Sequence, residues 1–265
     1  MPVFTWINHH RFLVSGFGLV VLLLGAVAGI WYFVLRSPGT QVDLRQALKL
    51  YRQGQRGDLQ PTDGLPEPGV YVYRTSGGEQ LNLPGLSRAF PSASDLVVTD
   101  DGCASMNWVP IDEHQEEIVT CRRPDGALVM ARTSSVESMA GVSTTQVIEC
   151  PSTTYFVPPH PVAGQRWYAV CHGPGQVDRL SGQVVGTTTL VLGGQRVPAL
   201  HTRLNFSISG QESGTNPTDY WVSPTTGLIL RQRESVSVSQ PSGPLGSVHY
   251  AEEMAITMTS LVPVR

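Results

Sequence analysis

Two cysteines, Cys103 and Cys121, bracket one histidine, His114, and four acids, Asp112, Glu113, Glu116 and Glu117. Thiolate, imidazole and carboxylate groups can hold zinc, carry out thiol–disulfide exchange or, for the acids alone, hold calcium. Each of these chemistries demands a spacing. The sequence has no C-x-x-C, which removes support for a zinc ribbon and for a thioredoxin-type redox pair. His114-Gln115-Glu116-Glu117 is not H-E-x-x-H, and the acids lack the EF-hand spacing. Zinc ligands drawn from distant positions remain open. The remaining cysteines are Cys150 and Cys171.

Neighbour pairing, Cys103 with Cys121 and Cys150 with Cys171, is the expected connectivity among the three that four cysteines allow. Each bridge would close a loop of about 20 residues and contribute roughly 3 kcal/mol in the chain-entropy account. On this reading "ASMNWVP" and "EEIVTCRR" are two short strands, "IDEHQ" is the polar turn between them, and the four acids are solvated.

Signals for catalysis are absent. "GLSRA" at 85–89 ends in alanine where a nucleophile elbow needs glycine, and neither a P-loop nor G-x-G-x-x-G occurs. Cys171 and His172 are adjacent in a strand and so point to opposite faces. His160, His201 and His249 form no ligand spacing, and Trp167, Tyr168, Tyr220 and Trp221 read as core or sheet-face residues. No catalytic residue, metal or cofactor is expected. An enzyme with dispersed residues is the weakest of three functional readings.

The elements that would position these residues fall into two parts. From Phe12 to Leu35 the chain is apolar and uncharged, roughly 36 Å long as a helix, against a hydrocarbon core of about 30 Å. This predicts an uncleaved transmembrane helix. A cleaved signal ending at Ala26-Val27-Ala28 is the alternative, but "IWYFVL" continues the apolar run. Positive charge after the span (Arg36, Arg45, Lys49, Arg52 and Arg56) argues for a cytoplasmic C-terminus. The cysteine pattern argues for an oxidising compartment, and the second argument is preferred. The expected order is therefore a cytoplasmic tail at 1–11, a span at 12–35, a juxtamembrane segment at 36–68 and an extracytoplasmic β-rich domain at 69–265.

Within the juxtamembrane segment, Leu44, Leu48 and Tyr51 recur at helical spacing while Arg45, Lys49 and Arg52 line another face. Two readings stay open. The basic face meets anionic headgroups, or the helix packs on the folded domain and exposes its charges.

Beyond it, 15% charged residues, 27 glycines and 20 prolines suit a turn-rich β protein, and the lack of long basic runs argues against nucleic-acid binding. In "LHTRLNFSI" Leu200, Thr202, Leu204, Phe206 and Ile208 share one face, and His201, Arg203, Asn205 and Ser207 the other. Gly193-Gly194 and "SPTTG" at 223–227 read as hairpin turns. An antiparallel meander of about ten strands is predicted, as a curved sheet, half-barrel or sandwich.

The layout, with "GVYVYRTSGGEQ", paired cysteines with a tryptophan between them and "DYWVSPTTGLILR", resembles an uncharacterised actinobacterial family of single-pass membrane proteins with a cysteine-bearing β domain. The closing meander, Trp221 to Leu230 above all, resembles the half-barrel of bacterial lipoprotein carriers. That resemblance implies a curved sheet cupping an acyl chain; it carries over no binding residue. The expectation is a membrane-anchored, non-enzymatic envelope domain that meets the lipid bilayer and binds a hydrophobic ligand or an envelope protein. The alternative is an accessory subunit of a larger membrane complex, docking through Gly25-x-x-x-Gly29 in the span.

Overall fold

Alternation of apolar and polar residues, repeated strand after strand, is realised as a single antiparallel sheet. The computed structural model describes residues 39–54, 62–83, 85–139, 142–241 and 246–265. The expected tail, spanning helix and Gly25–Gly29 face lie outside the described residues, as does part of the juxtamembrane segment. No helix among the described residues is long and apolar enough to cross a membrane.

Fourteen strands are described: β1 (Gly69–Leu81), β2 (Ser87–Ala89), β3 (Ala93–Asp100), β4 (Ala104–Ile111), β5 (His114–Arg122), β6 (Leu128–Met139) and β7 (Val142–Glu149), then β8 (Tyr155–Val157), β9 (Arg166–Gly173), β10 (Gln176–Leu192), β11 (Gln195–Gly210), β12 (Ser213–Val222), β13 (Ile229–Pro241) and β14 (Ser247–Met258). Most neighbours in sequence are neighbours in the sheet, as in a meander. The predicted turns recur, with Gly193 and Gly194 both at positive φ in the β10–β11 hairpin, where a two-residue turn requires it.

The sheet closes on itself. Residues Gly69–Arg74 of β1 pair with β3, while Tyr73–Leu81 pair with β14. On its other edge β1 passes from β3 to β2 around Gly77 and Gly78, where an added Cβ would collide with the backbone of β14 at Gly77 and of β2 at Gly78. The ring is thin at one place. β7 and β9 share one paired position, Glu149 with His172, and the Cys150–Cys171 disulfide lies beside it with Cα atoms 4.3 Å apart. The second disulfide, Cys103–Cys121, joins β5 to the residue that precedes β4, with Cα atoms 4.4 Å apart. Both are the pairings expected from the sequence, and they exclude a Cys103–His114–Cys121 metal site.

Helix α1 (Leu44–Gly54) packs on the outside of β3 and β1. Asp43 caps it, accepting from the Gln46 backbone N–H at 2.8 Å while its own N–H reaches the Gln46 side chain at 3.4 Å. Ala47 and Val42 bury against Val70, Val97 and Val109. Arg45, Lys49 and Arg52 are exposed. The compact unit therefore runs from Pro38, so the helix belongs with the β domain.

One end of the barrel is packed solid. Tyr71, Tyr73, Leu128, Phe156, Leu200 and Ile229 are fully buried there. Toward the other end the inward positions change character. Along β14 they read Met258, Ile256, Met254, then Glu252, then Tyr250 and Val248.

Candidate functional site

Carboxylates appear at the same height on several strands and form the floor of a cavity of about 460 Å³, open at the end opposite the packed core. Glu79 of β1 stands directly across from Glu252 of β14, and His114 of β5 across from Glu137 of β6. Glu234 comes from β13, Glu116 from β5 and Asp178 from β10. Above them the wall is apolar: Leu81, Met139, Phe206, Ile208, Val236 and Val238. Among the described lining residues there is no lysine, arginine or histidine, whereas Glu79, Glu116, Glu137, Asp178, Glu212 and Glu234 all line it.

His114 anchors the floor. It is fully buried, walled by Phe90 and Trp108 with ring centroids 5.2 and 5.5 Å away. Its Nδ1 lies 3.2 Å from Glu79 Oε2 and its Nε2 3.3 Å from Glu116 Oε1. Two carboxyl neighbours, one at each ring nitrogen, favour the imidazolium form. Burial alone would lower its pKa, but Glu252, Glu116 and Glu79 together carry it well above the ordinary value.

Glu79 is the anion that matches it. Burial would raise its pKa, but His114, Arg88 and Tyr250 hold it below the usual carboxylate range. Glu252 is different. The Tyr250 hydroxyl lies 2.7 Å from Glu79 Oε2 and 2.6 Å from Glu252 Oε2, yet it has one proton to give. One carboxyl must supply the other proton, and burial raises Glu252 well above its ordinary pKa. Tyr250 thus bridges the two carboxyls, while burial favours the protonated form of Glu252. Glu234 accepts from Asn216 at 2.5 Å and Gln232 at 2.6 Å, but burial and the nearby Glu116 push it up to about 8. Burial pushes Glu137 up to about 7.

A proton-rich interior fixes how stability responds to pH. Glu137 and Glu234 hold protons more tightly folded than unfolded, so their contribution is complete below about pH 4.5 and is lost as pH rises toward 7 and 8. His114 acts in the same direction, its contribution being complete below about pH 6.5 and lost as pH rises through its higher folded value. Glu79 acts the other way, its contribution being present above about pH 4.5 and lost as pH falls through its lowered folded value. Thermal melts should therefore give a lower Tm at pH 9 than at pH 6. The difference is on the order of a few kcal/mol in stability, and Glu234→Gln should flatten the slope. A Tm independent of pH over that range would contradict the proton assignment.

Ligand atoms of Glu79, His114 and Glu252 lie within 4.8 Å of one another, a donor set that a divalent cation could use. Both imidazole nitrogens already face carboxylates, and Arg88 already neutralises Glu79. The described side chains thus balance this trio without an ion.

Of the candidate site residues singled out in the sequence, Glu116, Glu117 and Tyr220 line the cavity, whereas the cysteines and the basic helix residues do not. The cysteines rivet strands, and Arg45, Lys49 and Arg52 lie on the outer helix. The reading of "IDEHQ" as a solvated turn is corrected: only Asp112 and Glu113 make the turn. His114 and Glu116 point inward because they share the parity of Ile118. The four acids diverge rather than converge. Asp112 accepts from Gln46, Glu113 from Thr40, and Glu117 pairs with Arg132 at 2.8 Å. They cannot share a calcium ion.

No family model matches the sequence, and no curated protein matches it. Among solved structures, the hypothetical lipoprotein YmcC from Escherichia coli K12 is 14% identical, with a TM-score of 0.33 over 83% of this chain and 100% of its own. A protein described as a lipoprotein from Parabacteroides distasonis is 9% identical, with a TM-score of 0.31 over 74% of this chain and 98% of its own. Both neighbours are bacterial lipoproteins by description, and likeness at this level assigns the chain to no family.

Proposed function

We propose that this chain is a membrane-tethered, extracytoplasmic, non-enzymatic binding domain of the cell envelope, and that its barrel takes a hydrophobic ligand into the open cup. The cavity carries the proposal: an apolar-walled space of about 460 Å³, within the roughly 300–1,000 Å³ of small-molecule sites. Two disulfides favour an oxidising compartment. The apolar run at 12–35 favours the tether, and exposed Arg45, Lys49 and Arg52 suit a contact with anionic headgroups.

The test is covalent capture. The intact chain in maltoside micelles is irradiated with a diazirine-bearing decanol, and the labelled peptides are mapped. Label is expected on the inner stretches around Phe206–Ile208 and Val236–Val238, with loss in a Val238→Trp variant that fills the mouth. Label confined to outer-face residues would reject the cup as a binding site.

The accessory-subunit reading is favoured by a different observation. Tyr168 (74% exposed) and Val170 (42%) stand on the outer face of β9, beside the thin β7–β9 joint, where a protein partner could cover them.

A further inference from the structure

A cup for an uncharged lipid would need only the apolar wall. This one places carboxyls beneath that wall and leaves acceptor capacity unused. Behind the floor, Glu252 Oε1 is buried, with 1% of its side chain exposed, and accepts no hydrogen bond; His114 Nε2 is 3.9 Å away. Glu137 lines the cavity, only partly buried, and its carboxyl makes no hydrogen bond to another described side chain. Buried acceptors without donors cost free energy unless something supplies the missing N–H or O–H groups. Both bases near the floor are already committed, Arg88 to Glu79 and His114 to Glu79 and Glu116. Any further donor to the floor comes from outside the chain, from water or from a ligand, and a ligand must be acceptable to an acidic site.

We propose, building on the hydrophobic-cup reading, that the ligand is an alkylammonium-class amphiphile, with its ammonium seated among Glu116, Glu137 and Glu234 and its apolar body lying along Phe206 and Val236. An ammonium brings three N–H donors on one small centre, which suits carboxyls arriving from three strands. A fatty carboxylate would meet like charge at the floor, and an alcohol would bring one donor and no charge. A bare divalent cation would use the floor but leave the apolar wall without a role, and it would face the Arg88 guanidinium beside Glu79.

The same photolabelling supplies the test, now as a competition. The intact chain is labelled with the neutral diazirine decanol at one peptide of the cup, and decylammonium, decanol or decanoate is added as competitor. Decylammonium is expected to displace the label at a concentration about tenfold or more below that of decanol, since hydrogen bonds to charged groups are worth that much or more. Decanoate should be the weakest. In the Glu137→Gln/Glu234→Gln double variant, which keeps side-chain shape, decylammonium and decanol should converge to within about threefold. If that variant does not fold, Glu137→Gln alone, at the cavity surface, takes its place. Equal competition by all three compounds, with label still in the cup, would overturn the charge selection while leaving the hydrophobic cup standing. Displacement by calcium or magnesium chloride alone, at lower concentration than by decylammonium, would overturn it in favour of an inorganic ion. Failure to label the cup at all would remove both readings together.

Discussion

Replacing His114 with leucine should cost on the order of 3–5 kcal/mol, a large share of the roughly 5–15 kcal/mol that holds a domain folded. The size follows from what would be left behind. Glu79, Glu116 and Glu252 lie 3.2, 3.3 and 3.9 Å from the ring nitrogens. Removing the imidazolium leaves the Glu79 and Glu116 carboxylates without the cation between them and Glu252 without the charge that faces it. Leucine fills much of the volume between Phe90 and Trp108, so packing loss is the smaller part. The penalty should also depend on pH. At pH 5 the carboxyls can take up protons and relieve the repulsion, whereas at pH 8 they pay more to do so. Urea unfolding of the wild type and His114→Leu at both values would measure this. A loss below about 1 kcal/mol, equal at the two pH values, would show that His114 does not hold the floor together.

The Cys150→Ser/Cys171→Ser double variant should lose about 3 kcal/mol, as should Cys103→Ser/Cys121→Ser, because the bridged cysteines are separated by 21 and 18 residues. The two variants should differ in where the loss is felt. Cys103 precedes β4 and Cys121 lies in β5, and these two strands are paired along most of their length. Cys150 and Cys171 bind strands that share a single paired position. Cutting the second bridge should let the wall part between β7 and β9. Native-state hydrogen exchange would register this as lost protection at 142–149 and 166–173, with the β4–β5 hairpin unchanged. Matching exchange patterns in the two variants would refute the view of β7–β9 as the weak joint.

Much of the architecture was legible in the chain. The inward parity of β11 and the hairpin turns at Gly193-Gly194 and Ser223–Gly227 follow from local chemistry, and so did the neighbour pairing of the cysteines. The floor of the cavity was written in the same alternation but was harder to see. Glu252 shares the parity of Met254, Ile256 and Met258, and Glu234 that of Leu230 and Val236. An acid on the apolar face of a strand is the signal that a buried carboxyl leaves. Convergence was not readable, because no local rule brings Glu79 opposite Glu252. For His114 the misleading feature was composition: a polar pentapeptide looks like a turn, yet the turn uses two of its residues and the strand takes the rest. Helix α1 left two readings open because its basic face and its packing face are both real.

Closure of the barrel through β1 also sets an order for its assembly. Tyr73 of β1 pairs with Met258 of β14, and 258 minus 73 separates them by 185 residues. No chain emerging from synthesis or export can make that ladder until almost its whole length is available. The β4–β5 and β10–β11 hairpins need only adjacent sequence, and both disulfides join cysteines within reach of short loops. The sheet can thus grow outward from its middle while its first and last strands wait, each with an open edge. The final step is the slow one, because it joins the most distant residues and must bring Glu79 and Glu252 face to face. A waiting edge is where one copy can pair with another, so the interval before closure is when this protein is most exposed to misassembly.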